Sequence, residues 1–360
     1  FQGLIGLVGQ NLIGDNDTTL IPVDTFVGTT AAPVDPVLAP LGNYGGPTQT
    51  MPPLPGSPAI DAISTPDPGG TDQRGFDRFV NGALDIGAVE AGATILVTTP
   101  TDENDGGAGG TGLSLREAIA SATTPGDRIL FDPAVFDGEA SDTITLTLGQ
   151  LTISGKTLEI HGVAVGSIGV TVSGNNSSRV MRVNNDATVA LSALTISDAD
   201  TGANGGGVWN NGSKVNVIAC TFTNNVAPFG AAILNNNGGK LSLHHSTLSG
   251  NIADLYFGAG LANQGNTSVA TLNHCTVTDN FAQNNGGGIR NEGSQLYLHS
   301  SIIAGNTATN LDKDISVSGG SSLIVATGVN LLSDLNNSTL MAGPTVLVGG
   351  PLLAPLSHYG

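Results

Sequence analysis

Positive charge is scarce in this sequence: 11 Lys and Arg stand against 29 Asp and Glu in 360 residues, for a net charge of −18. A field of that sign repels nucleic acid and anionic membrane surfaces, and favours divalent cations or basic partners. The imbalance is uneven, since residues 1–110 hold 13 acids and only Arg74 and Arg78. Long apolar runs are missing too. None reaches the ~18 residues of a membrane span, so no membrane insertion is expected. Aromatics make up 4% of the chain, with one Trp, and charged residues only 11%. Against that stands a 39% apolar fraction, which argues against a solvated coil despite 52 Gly. With neither Met nor a signal-peptide pattern before Phe1, the chain reads as processed or excised.

What is abundant is turn chemistry between short strands. Between residues 205 and 310, Gly206-Gly207-Val208-Trp209-Asn210, Ala231-Ala232-Ile233-Leu234-Asn235, Ala259-Gly260-Leu261-Ala262-Asn263 and Gly287-Gly288-Ile289-Arg290-Asn291 open successive copies of a repeat. Their Asn residues are 25, 28 and 28 positions apart. Period-2 alternation follows in each, as in Val215-Asn216-Val217 and Leu241-Ser242-Leu243. Each copy then closes on an apolar residue with Asn three positions later: Phe222 and Asn225, Leu248 and Asn251, Val277 and Asn280, Ile303 and Asn306. Such a unit buries its apolar face only by stacking on its neighbours, ~4.8 Å apart in parallel register. The expected fold is all-β, a right-handed parallel β-helix with a short N-terminal capping helix and an irregular acidic N-terminal segment. Asn at the corners is expected to take left-handed backbone geometry and form a ladder. Less regular rungs precede these, at 143–154, 157–172 and 179–197.

Two further patterns frame the rungs. Ser114 and Glu117 make a capping box, and Leu115, Ala118, Ile119 and Ala122 one apolar stripe, so a short amphipathic helix covers the first open rung. On a longer scale, Pro36–Gly45 is nearly repeated by Pro351–Gly360, and Asn11-Leu12-Ile13 by Asn330-Leu331-Leu332, at offsets of 315 and 319 residues. Leu4-Ile5 likewise matches Leu323-Ile324. That period is one large module plus an overlap, as in a tandem array. Phe1–Val8 reads as an apolar strand edge awaiting a partner.

With these residues assembled, the chain resembles a known group of bacterial surface proteins. Thr111-Gly112-Leu113-Ser114-Leu115-Arg116-Glu117-Ala118-Ile119 is similar to the CSLREA motif, with Leu113 in place of its Cys. Gly45-Gly46-Pro47-Thr48, Gly56-Ser57-Pro58-Ala59-Ile60-Asp61-Ala62, Thr71-Asp72-Gln73-Arg74-Gly75 and Asp85-Ile86-Gly87-Ala88-Val89-Glu90 resemble the choice-of-anchor Q domain. The rungs resemble pectin-lyase-like, adhesin-type β-helices. The order is permuted, so residues 1–92 correspond to a terminal rung and cap segment of a preceding module, and 93–360 to a capping helix plus β-helix. The resemblance implies an extracellular or cell-surface location.

Candidate chemistry is sparse. Asp102, Glu103 and Asp105 offer the hard oxygen donors Ca²⁺ prefers, and Asp15-Asn16-Asp17 is a weaker set. Glycoside hydrolysis needs two carboxylates about 5–10 Å apart. No outward column supplies them, since Asp279 shares its column with Asn224, Gly250 and Gly305. His244, Asn273 and His299 share one column and His245 and His274 the next, too few ligands for a transition metal. Cys220 and Cys275 share a column with Ser246 between them, about 9–10 Å apart and beyond disulfide reach, so two free, buried thiols are expected. Arg74 and Arg78 are expected to pair with Asp72, Asp77 and Asp85. No catalytic residues and no firm cofactor follow from this set.

The expected function is a non-enzymatic structural module of a secreted bacterial surface fibre or adhesin, with another copy of itself as partner, head-to-tail or in tandem. The alternatives are a glycan-binding surface module, presenting Trp209, Phe229, Tyr256, Phe257 or Tyr297 to a surface glycan, and a polysaccharide lyase or hydrolase.

Overall fold

Between residues 205 and 310 the segments that alternate with period 2 form short strands, and strands one repeat apart lie side by side. The computed structural model describes residues 10–15, 26–39, 41, 44, 48–54, 56–66, 69–80, 82–106, 112–123, 125–137, 142–162, 169–310, 312–333, 345–348 and 353. Phe1–Val8, Asn16, Asp17 and most of Pro351–Gly360 lie outside them. The chain divides into two compact units: residues 1–94 with 124–128, and residues 95–123 with 129–360.

The larger unit is a parallel β-helix. Among the described residues its strands fall into sheets of nine, seven, nine and four members, each ordered so that consecutive rungs are neighbours. Strand Lys214–Ile218 pairs in parallel with Thr188–Ser192 on one side and Lys240–His244 on the other, the latter followed by Val269–Asn273 and Gln295–His299. The register is the one read from the repeat: Val208, Ile233, Leu261 and Ile289 are successive partners, as are Phe222, Leu248 and Val277. These side chains point inward and are fully buried, joining one continuous apolar core. The earlier, less regular rungs obey the same rule, with Leu151–Ser154 beside Met181–Asn184 and Thr157–His161 beside Thr188–Ser192.

Helix Leu115–Ser121 carries the expected capping box, and Leu115, Ala118, Ile119 and Ala122 are buried in the core of the coil. Leu113 packs half-buried against the same cluster. Both helix ends are satisfied by side chains. Lys156 Nζ donates to the carbonyls of Ile119, Ala120 and Ala122 at 2.6, 2.9 and 2.7 Å, filling the acceptors a helix C-terminus leaves open.

The corners correct one expectation. The ladder asparagines do not take left-handed backbone. Asn224, Gly250, Asp279 and Gly305, each one residue earlier, do so at φ 55°, 72°, 56° and 77°. A second left-handed column runs through Ala193, Ala219, His245, His274 and Ser300. That turn aims the next residue inward, so Asn225, Asn251, Asn280 and Asn306 project into the coil. Their side chains bond in series, Nδ2 to the next Oδ1, at 2.9 Å each.

The smaller unit has no such regularity. Isolated antiparallel bridges join Leu38 to Pro53, Ile63 to Leu84 and Thr71 to Asp77. Backbone bonds between irregular segments, buried apolar side chains and a buried group of acids and arginines hold its described residues together.

Candidate functional site

Asp102, Glu103 and Asp105 separate in the structure. Asp102 is buried and bidentate to Arg116, Oδ1–Nε at 2.8 Å and Oδ2–Nη2 at 3.0 Å, and it also accepts the Thr147 and Leu148 amides at 2.8 Å. Burial pushes this carboxyl up, but Arg116 and the two amides together outweigh it and hold it below its ordinary value. Arg116 continues to the carbonyls of Gly149 and Gln150, at 2.6 and 3.1 Å. Asp102 therefore ties the capping helix to the first rungs.

Glu103 and Asp105 come together instead with Glu117, with one carboxylate oxygen from each within 4.8 Å of the others. Glu117 is the anion of the helix cap. Its Oε1 accepts the amides of Asp105 and Gly106 at 2.8 Å, and its Oε2 that of Ser114 at 3.0 Å. The Ser114 amide most, against burial, and then the Asp105 and Gly106 amides hold its carboxyl down to about 2 from 4.5. A carboxyl depressed on folding contributes stability above pH 4.5 and loses it as pH falls toward 2. Glu117→Gln is thus expected to flatten the acid limb of a pH–melting curve across that window. Glu117→Ala should cost roughly 2 kcal/mol at neutral pH, by freeing three amides at a helix start. Equal acid sensitivity in wild type and Glu117→Gln would show the cap to be neutral.

In the smaller unit the motifs at residues 56–62, 71–75 and 85–90 converge. Arg74 pairs with Asp72, Nε–Oδ2 at 2.8 Å with both side chains essentially inaccessible, lies 4.8 Å over the Phe76 ring, and donates to the Glu90 carbonyl. The Glu90 amide returns to Asp72 Oδ2 at 3.1 Å. Arg78 departs from expectation: its guanidinium donates to the carbonyls of Gly87 and Asp85, at 2.8 and 2.9 Å, not to a carboxylate. Asp85 accepts the Asp61 and Ala91 amides at 2.7 Å, and Glu90 Oε2 accepts the Asp85 amide at 2.9 Å. Asp61, Asp85 and Glu90 so bring three carboxylates together. Burial raises Asp85 above its ordinary value and pushes Glu90 up to about 7. Asp85 and Glu90 are only 1% and 2% exposed, closed to a polymeric substrate. No sequence pattern brought these three carboxylates together, because Asp61 comes from one non-repeating motif and Asp85 with Glu90 from another.

The other candidate columns are occupied by structure. Trp209 is half-buried between strands, with the guanidiniums of Arg179 and Arg182 over its ring at 4.8 and 4.5 Å and its Nε1 donating to Asn236 at 3.0 Å. His245 and His274 stack at 5.4 Å, while His244 Nδ1 meets Asn273 Nδ2 at 3.4 Å and His299 Nδ1 meets Thr327 Oγ1 at 3.0 Å. Cys220 and Cys275 are free and buried, with their thiols pushed up by burial to about 12 and 11. Ser246 and Ser301 cap the two Cys amides at 3.1 and 3.0 Å, which confirms the column. Sequence reading missed Asp314, a buried carboxylate that ends the Asn ladder.

The larger unit is thus that of a parallel β-helix repeat protein. No family model, curated protein or solved structure matches the chain.

Proposed function

We propose that the chain is a non-enzymatic structural module of an extracellular, bacterial cell-surface fibre or adhesin, whose modules stack head to tail. The observation that carries this reading is the fate of the repeated segment. Leu323–Thr327 and Val329–Leu332 are rung strands of the coil, paired with Gln295–His299 and Ile302–Ile303. The matching residues Leu4–Ile13 carry the same strand pattern. A segment that completes a rung in one place has the chemistry to complete an equivalent rung elsewhere. Among the described residues, the three long sheets end on Leu323–Thr327, Ile315–Ser318 and Thr345–Val348, with no further strand beside them. Parallel edges of this kind accept another strand through main-chain hydrogen bonds, and a heterologous contact of that geometry propagates.

The non-enzymatic part of the reading is supported by the columns. Asp279 sits in a left-handed turn with no acid above or below it, and in the coil Asp102, Glu117 and Asp314 are held by donors of the capping helix and the Asn ladder. A glycan platform at Trp209 is disfavoured by the guanidiniums over the indole.

Negative-stain electron microscopy of the purified chain at increasing concentration tests the assembly. Filaments with an axial repeat of one module are expected, and monodisperse particles throughout would remove self-association. Reducing ends or unsaturated products from acidic polysaccharides would remove the non-enzymatic reading.

A further inference from the structure

Three carboxylates in the smaller unit lie where charge repulsion alone would separate them. One oxygen each of Asp61, Asp85 and Glu90 falls within 4.8 Å of the others. That is the span of donor oxygens facing one another across a cation coordinated at ~2.4 Å. Among the described residues none of the three pairs with an arginine or lysine. Arg78 is spent on the carbonyls of Gly87 and Asp85, and Arg128 on the Gly92 carbonyl and Thr94 Oγ1.

Hydrogen bonding accounts for most of the cluster, but not for all of it. Each Asp85 oxygen accepts one amide, and Glu90 Oε2 accepts one. Glu90 Oε1 accepts nothing, though it is buried on a side chain in a residue only 2% exposed. A buried, unpartnered carboxylate oxygen is costly unless something outside the protein satisfies it. Desolvation favours neutralising such a group, which a cation or a proton achieves. The Asp85 and Glu90 shifts run upward because burial outweighs the amides and the more distant Arg128 and Arg78, so the protein compensates the negative charge here only in part.

The geometry points to a Ca²⁺ site formed by Asp61, Asp85 and Glu90, with Glu90 Oε1 as its innermost ligand and exposed Asp61 as its gate to solvent. Three carboxylates are hard donors of the kind Ca²⁺ takes, and water completes the six to eight positions. Backbone amides from Asp61, Asp85 and Ala91 orient the carboxylates from behind, as outer-shell partners do in metal sites. The ion would bind residue 61 to residues 85 and 90, tying together two motifs of a unit that has few strands. This site is distinct from Glu103 and Asp105, and it is independent of how modules assemble.

Isothermal titration calorimetry of Ca²⁺ into the EGTA-treated, dialysed full-length chain tests it, alongside melting curves with EGTA and with Ca²⁺. One binding event per chain and a melting temperature that climbs with Ca²⁺ concentration are expected. Glu90→Gln should weaken binding roughly tenfold or more, by removing the innermost charge. Asp61→Asn, a change at an exposed residue that keeps the fold, should weaken it as well. Asp105→Asn should leave it unchanged. Absent heat with superimposed melting curves would overturn the site, and so would equal affinity in wild type, Glu90→Gln and Asp61→Asn. Stability that ignores Ca²⁺ but rises on acidification through neutral pH would also overturn it, showing that the carboxyls share a proton.

Discussion

Replacing Asn251 by leucine is expected to lower the stability of the coil by on the order of 4 kcal/mol, because several fully buried polar groups lose partners at once. Asn251 Oδ1 accepts both the amide and the side chain of Asn225, at 3.1 and 2.9 Å. Its Nδ2 donates to Asn280 Oδ1 at 2.9 Å and to the carbonyls of Phe222 and Ser249 at 3.0 and 3.2 Å. Leucine offers none of these, and the site is sealed from water. Aspartate should fare little better at this position. It keeps the acceptor, but it sets an anion against Asn280 Oδ1, itself an acceptor.

The same chemistry explains why the ladder ends on an acid. Asp314 Oδ1 takes the Asn306 amide and Nδ2, at 3.3 and 3.0 Å, and Oδ2 takes the Ser333 amide and hydroxyl, at 2.8 and 2.7 Å. Each of these four groups donates to a carboxylate oxygen, where an Asn in the same place would turn its Nδ2 toward one pair of donors. Denaturant titration of Asn251→Leu, Asn280→Leu and the pair checks the idea. The double variant should cost clearly less than the sum, since each single change already breaks the shared bond. A single-variant loss under about 1 kcal/mol would mean that water replaces the ladder.

The regular part of this molecule was legible because a parallel stack repeats its register in the sequence. Val208, Ile233, Leu261 and Ile289 align by spacing before any coordinates exist, and so do Cys220, Ser246 and Cys275. The capping helix was legible because Ser114 and Glu117 satisfy local amides. Legibility failed where partners are not periodic. Asp314 follows Asn306 by 8 positions, where a rung would separate ladder members by 26 or 29, so no column contained it. Asp102 finds Arg116 and the Thr147 and Leu148 amides across 14, 45 and 46 residues. Reading it as a neighbour of Glu103 and Asp105 used proximity in sequence, which irregular backbone does not preserve. The left-handed corners were displaced by one residue for a related reason. Asn tolerates that geometry, but here its amide is more valuable inside, so Gly, Asp or another Asn takes the turn.

The irregular unit gives the second large effect. Arg74→Met should destabilise residues 57–92 by about 3–5 kcal/mol, chiefly through the Asp72 carboxylate left buried without its cation. Asp72 would keep the amides of Arg74, Phe76 and Glu90, at 2.7, 3.1 and 3.1 Å, so its charge would remain partly solvated by the backbone. The Glu90 carbonyl would lose its guanidinium donor, and the Phe76 ring the cation above it. Arg74→Lys should recover only part of the loss, because one ammonium cannot reproduce a planar fork that reaches Asp72, Glu90 and the ring together. Adding Asp72→Asn to Arg74→Met should restore stability relative to Arg74→Met alone, since it removes the stranded charge. Hydrogen exchange is the suitable readout, because a two-unit chain need not melt in one step and protection is resolved by residue. Faster exchange at the amides of Asp72, Asp85 and Glu90 is expected in Arg74→Met, with recovery in the double variant. Unchanged protection would assign the ordering of this unit to its apolar contacts. Arg74 also fixes the backbone from which Glu90 reaches Asp61 and Asp85, so the loss should extend to Ca²⁺ affinity in the same titration.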